Sequence, residues 1–248
     1  MFRGAGTVVN VATVLVGSGL GVLLGHRLPQ RTRDVVTDAL GLVTLLVAAL
    51  SALAVTDASL ETAVGTSAPV LIVLGSLLIG GLAGSLLQVE AGLERFGGWL
   101  QLRMARSSDS VERRRFIEGF LAASLLFCVG PLTILGSLSD GLGNGADQLI
   151  LKATLDGFAA IAFASSFGWG VAASALTVGV VQGTLTLVGS VLGQVLPPSH
   201  VAALTATGGL LLVGVALRLL QVKRIPVGDL LPALLVAPVL TQLVMTIR

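Results

Sequence analysis

Eight apolar stretches of about twenty residues each fill most of this chain, and they leave it few ways to fold. They cover about 7–25, 38–55, 69–88, 117–138, 150–173, 177–195, 202–220 and 228–246. A run of this length crosses the hydrocarbon core of a bilayer as a helix. Inside lipid no water satisfies backbone amides and carbonyls, so only helices or closed barrels span it. The long continuous runs exclude the alternating pattern of a barrel strand. The expectation is an all-α polytopic membrane protein. Charged residues make up only 11% of the chain, with a mean hydropathy of +0.96, too few to solvate a soluble surface. Nothing charged and no proline separates the fifth and sixth runs, so a seven-span count with one long bent element is the rival. The first run is read as a retained helix, because its positive charges follow it and no A-x-A cleavage pattern is present.

Arginine and lysine decide between the counts. Arg27, Arg31 and Arg33 follow span 1, six arginines from Arg95 to Arg115 follow span 3, and Lys223 and Arg224 follow span 7. The connections after spans 2, 4 and 6 carry no lysine or arginine. Cationic connections favour the cytoplasm, and the alternation is regular for eight spans with both termini external. Seven spans would put the last two connections on the wrong sides.

The chain also repeats itself. Residues 19–50 align without a gap on 187–218, with ten of 32 positions identical, among them Gly21/Gly189, Gly25/Gly193, Pro29/Pro197 and Gly41/Gly209. By the charge alternation the Leu28-Pro29 turn is cytoplasmic and the Leu196-Pro197 turn external. The copies therefore have inverted topology, as in many secondary transporters. The layout expected is helices 1–3 in 1–90, a cytoplasmic amphipathic segment in 91–115, two broken helices in 116–173, and helices 6–8 in 177–246 as the inverted copy of the first three. In the amphipathic segment Leu93, Phe96, Trp99, Leu100 and Met104 share a face with arginines interspersed, which suits a helix in the headgroup plane.

A shorter repeat joins helices 4 and 5. Ile117-Glu118-Gly119-Phe120 matches Leu155-Asp156-Gly157-Phe158, and twelve residues after each acid comes a break, Gly130-Pro131 or Gly168-Trp169-Gly170. Broken helices free backbone groups that a ligand can satisfy. Ionisable groups in a bilayer are functional candidates by default. Asp156 leads, with Lys152 four residues earlier on the same face; the alternative is a structural ion pair. Glu118 lies beside Arg115 and reads as an interfacial pair. Ser124 and Thr133 on helix 4 and Ser165 and Ser166 on helix 5 cluster at the breaks with Gly130 and Gly168. They would coordinate an ion or line a wet path, or simply back-bond to their own helices. Asn10 and Gln182 are amides that bridge helices or line a cavity. Gly17, Gly21 and Gly25, with Gly80 and Gly84, form small-residue faces for packing or for a homo-oligomer.

No catalytic triad, phosphate loop, metal-ligand cluster or nucleic-acid patch is present in the sequence, so no enzyme activity and no cofactor are expected. The expected partners are membrane lipids and a small ion or solute, with no nucleic acid. The reading is a secondary transporter. A lipid-interacting or scaffolding membrane protein is the alternative, and a channel the third.

The stretch from Phe127 to Ser137 (FCVGPLTILGS), with Asp140-Gly141, resembles the most characteristic segment of the YqgA/YdfK-like bacterial membrane proteins, the domain of unknown function 554. Lys152, Asp156-Gly157-Phe158, Phe163-Ala164-Ser165-Ser166, Gly168, the tail Leu230-Leu231-Pro232-Ala233-Leu234, Val9-Asn10 and Leu28-Pro29 fit it as well. The resemblance covers essentially the whole chain. It implies a small bacterial inner-membrane protein and carries no activity with it.

Overall fold

The computed structural model describes residues 2–25, 29–104, 110–128, 131–143, 145–192 and 197–247. Among them it contains helices and no strand. In chain order these are α1 (Ala5–Gly25), α2 (Gln30–Ala52), a 3-10 turn (Leu53–Thr56), α3 (Ala58–Val64), α4 (Ala68–Leu86), α5 (Val89–Met104), α6 (Ser110–Cys128), α7 (Pro131–Leu142), α8 (Asp147–Phe167), α9 (Trp169–Leu192), α10 (Pro198–Leu219), α11 (Val227–Leu230) and α12 (Ala233–Ile247). Seven segments are long and apolar enough to cross a membrane, and α6 with α7 forms a further candidate bent by 74°.

The bent pair is one broken span rather than a re-entrant loop. At its start, Phe116 abuts Gly170 and Gly119 abuts Phe167, where α8 meets α9. At its finish, Leu138 abuts Gly189 and Gly141 abuts Thr186 near the other end of α9, while Gly136 meets Leu149 at the start of α8. The chain has thus travelled the length of α9. Thr133 Oγ1 donates to the Phe127 carbonyl at 3.1 Å, satisfying one of the acceptors left open where α6 ends.

The fifth and sixth spans are separate, and the break expected inside the fifth lies elsewhere. Gly168, at φ +71°, ends α8, and α9 begins at the next residue. Glycine takes this conformation without the Cβ strain of other residues. Gly168 is therefore a junction between spans, and the Gly130/Gly168 match does not mark two mid-span breaks. Two further short helices interrupt segments read as loop or span. Asp57 caps α3 by accepting from the Ser59 amide at 2.8 Å, and α11 precedes α12 across Pro232. The Leu28-Pro29 and Leu196-Pro197 turns include residues outside the described set.

The chain divides into two compact units. The first holds residues 1–40, 94–128 and 132–195, and so contains α1, α6, α8, α9 and nearly all of α7. Its main contact is α1 on α8, two parallel helices. Gly17 lies on Gly157, Gly21 on Ile161 and Gly25 on Ser165, so tightly that a Cβ at any of the three would strike backbone carbonyl oxygen. The small-residue face of α1 is thus used within the chain. The end of α5 joins this unit through Phe96, which stacks on Trp99 at 5.8 Å and meets Phe120 at 6.0 Å.

The second unit holds residues 41–93, 129–131 and 196–248. Leu60, Val64, Ile72, Ala202, Ala203 and Ala237 form a hydrophobic core. Gly80 and Gly84 press on Ala233 and Asp229. Where α2 meets α10, Gly41 faces Leu220 and Gly209 faces Ala52. Shifting either contact by the 168-residue offset of the sequence repeat generates the other.

Candidate functional site

Polar groups buried within apolar spans concentrate in the first unit. At their centre is Asp156, near the middle of α8. Its Oδ2 accepts from Lys152 Nζ at 2.5 Å and from Asn10 Nδ2 at 2.9 Å. Lys152 and Asp156 are each 6% exposed and Asn10 is fully buried. One helical turn separates Lys152 from Asp156, so the ion pair is built into α8. Asn10 comes from α1 and is carried there by the glycine contacts of that helix.

Gln182 on α9 belongs to the same level. Thr7 and Thr186 hydroxyls pair across α1 and α9 at 3.3 Å, and Val11 packs on Gly179. Residues 179, 182 and 186 form one helical stripe, so Gln182 lies on the side of α9 turned to α1, level with Asn10. Gln182 is fully buried, and neither its Oε1 nor its Nε2 has a hydrogen-bond partner; Asn10 Oδ1 also has none. Buried amide atoms without partners are costly, and native proteins rarely leave them so.

The end of α6 reaches this level too. Phe116 meets Gly170 and Ser124 Oγ donates to Thr177 Oγ1 at 3.1 Å. The two helices therefore run parallel, and the same register brings Cys128 level with residues 181–182.

Three of the residues selected from sequence thus converge, Asp156, Lys152 and Asn10, and Gln182 lies at their level on α9. Ser124 lies one to two turns away. Glu118, Ser165, Ser166 and Gly168 sit at the α8/α9 junction, about 15 Å along α8 from Asp156 at 1.5 Å per residue. There Ser165 Oγ bonds to its own helix at the Ala162 carbonyl, 2.7 Å away. Arg115 Nε donates to the Ser166 carbonyl, which covers an open acceptor at the end of α8. Glu118 is half-buried, and the ion pairs found among the described residues do not join it to Arg115. Thr133 closes the end of α6, and Gly130 lies outside the described residues.

The structure also adds residues that the sequence does not single out as site candidates. Asp140 on α7 is 3% exposed and accepts from the Gly4 and Gly6 amides at 3.1 and 3.0 Å, capping α1. In the second unit Glu90 accepts from Arg218 at 2.9 Å and from the Gly228 amide at 2.6 Å, while Asp229 accepts from the Glu90 amide at 2.9 Å. An acid in the first turn of α5 is a detectable capping signal; its partner is not.

The family model "Protein of unknown function (DUF554)" matches residues 5–242. The chain belongs to the DUF554 family. It is 34% identical over 232 residues to "Uncharacterized protein YqgA" of Escherichia coli (strain K12), and 30% identical over 234 residues to "Uncharacterized membrane protein YdfK" of Bacillus subtilis (strain 168). Each alignment covers 94% of both chains. No solved structure matches it. This DUF554 member is a multi-helix membrane protein.

Proposed function

We propose that this chain is a secondary transporter of the bacterial inner membrane, moving a small ion or polar solute through the Asp156 centre. One observation carries the reading: a charged pair and two amides with unfilled hydrogen-bonding capacity are buried at one level within apolar spans. Such groups are expensive in lipid and mark ion and solute paths. In this reading the arginine-rich connections are cytoplasmic and both termini external, by the positive-inside rule. The protein acts without chemistry on its cargo, and the driving force is a gradient.

The mutual images Gly41–Leu220 and Gly209–Ala52 support an inverted repeat. The compact units cut across the repeats rather than following them. The first helices of the two copies, α1 and α9, fall in the first unit; most of the remaining repeat helices fall in the second.

Proteoliposome uptake under an imposed proton or sodium gradient tests this. Uptake is expected from the wild-type protein and not from Asp156→Asn. Undiminished uptake by both Asp156→Asn and Lys152→Ala removes the site. A non-transporting scaffold is the second reading, favoured by the dense glycine packing of α1 on α8. It predicts no uptake under any gradient.

A further inference from the structure

We infer that the Asp156 centre binds a monovalent metal cation, and that Lys152 is a tethered competitor holding the carboxylate when the cation is absent. The identity of the cation as cargo or driving ion rests on the transport reading; the binding itself does not.

The donor set points to a cation. Three oxygen-bearing groups lie at one level of the packed helices: the Asp156 carboxylate, Asn10 Oδ1 and, by the register of α9 on α1, Gln182 Oε1, both amide oxygens being buried and unpartnered. Hard cations take oxygen ligands of this kind from carboxylates and side-chain amides. Broken α6 ends at the same level, and the C-terminal end of a helix carries partial negative charge. An anion fits poorly, because the cation present, Lys152, is already engaged by Asp156 at 2.5 Å.

The charge count limits the valence. One carboxylate balances one positive charge, and no group of three or more histidine, cysteine, aspartate or glutamate side chains suited to a metal occurs among the described residues. A divalent ion would be left with uncompensated charge in a low-dielectric site.

Lys152 supplies the competition. Its ammonium is a point charge on a flexible four-carbon stem, attached one turn from the carboxylate it neutralises. It can withdraw toward the start of α8, five residues away, when a cation arrives, carrying its own charge toward the membrane surface, and return when the cation leaves. The carboxylate is thus never bare in the membrane, and ammonium and metal cation exclude each other.

The test is thermal unfolding of the purified full chain in detergent. Sodium, potassium or choline chloride is titrated at fixed ionic strength and fixed chloride. Sodium or potassium is expected to raise the unfolding temperature where choline does not. In Lys152→Met the half-maximal concentration should fall at least tenfold. In Gln182→Leu it should rise about tenfold. The Lys152→Met/Asp156→Asn double variant keeps a neutral, foldable pair and should lose the response altogether. Equal responses to choline and both metal ions in the wild type and in Lys152→Met would overturn the inference, as would a cation response retained by the double variant. Binding without liposome uptake removes the transporter reading and leaves this one standing. Uptake without specific binding does the reverse.

Discussion

The two units pack by the same device and differ in where polar side chains tie helices together, mid-helix in the first and at helix ends in the second. Both bring helices together over glycines: Gly17, Gly21 and Gly25 in the first, Gly80 and Gly84 in the second. In the second unit, many hydroxyls buried in the helices bond to their own backbone four residues back, as Ser76 does to Ile72, Thr207 to Ala203 and Thr241 to Ala237. Its ion pair, Arg218–Glu90, sits at helix ends. In the first unit Ser165 and Ser174 bond back in a similar way, but polar side chains also reach across helices: Asn10 to Asp156, Thr7 to Thr186, Ser124 to Thr177, and Asp140 to the start of α1. A hydroxyl bonded to its own helix asks nothing of its neighbours. A polar group bonded across an interface ties helix positions together and is disturbed when they shift. The first unit therefore has chemistry to lose, whereas the second has mainly shape.

The strongest challenge to this contrast is one that should fail to separate the units. Gly21→Leu and Gly84→Leu both drive a side chain into backbone, and each should abolish monodisperse protein in size-exclusion chromatography. Survival of either would show that the glycine contacts are not required. Next in size is Asp156→Leu, which leaves Lys152 buried and unpaired. Breaking such a pair costs about 3–5 kcal/mol, and adding Lys152→Met should recover most of the loss in denaturant or thermal unfolding.

The contrast sharpens at Gln182. Replacing it by leucine removes two buried atoms without partners, so stability should hold or rise by about 1 kcal/mol, while uptake falls. A gain in stability joined to a loss of function is the signature of a site. A loss of both would instead assign Gln182 to packing. The smallest effect belongs to Thr207→Val in the second unit. It removes only a self-bonded hydroxyl and should change stability by less than about 1 kcal/mol, with uptake unaltered.

The legible parts of this structure were local. Span lengths follow from apolar runs, and the Lys152–Asp156 pair follows from a spacing of four on one helix. The seam at Gly168 is hidden in the sequence because the two spans meet without charge, proline or loop. A glycine that ends a helix has the same sequence signature as a break within one. Asn10 and Gln182 are visible as amides in apolar helices, but their place at the level of Asp156 depends on packing register. Asp140 looked like a loop acid because composition does not say that α7 continues through Leu142 and turns that carboxylate onto α1. Long-range capping leaves no periodic trace.

The bond from Asn10 to Asp156 spans 146 residues of sequence, and this imposes an order on biosynthesis. The first helix leaves the ribosome long before its lysine–aspartate partner exists. At ~5–20 residues per second the interval is about 7–30 s. Through that time α1 holds an amide side chain and an uncapped amino end, with neither α8 nor Asp140 available. The nascent helix must keep them hydrated at the insertion machinery or shield them with a helper protein. Slowed translation between α1 and α8 should therefore lower the yield of folded protein more than the same delay placed after α9.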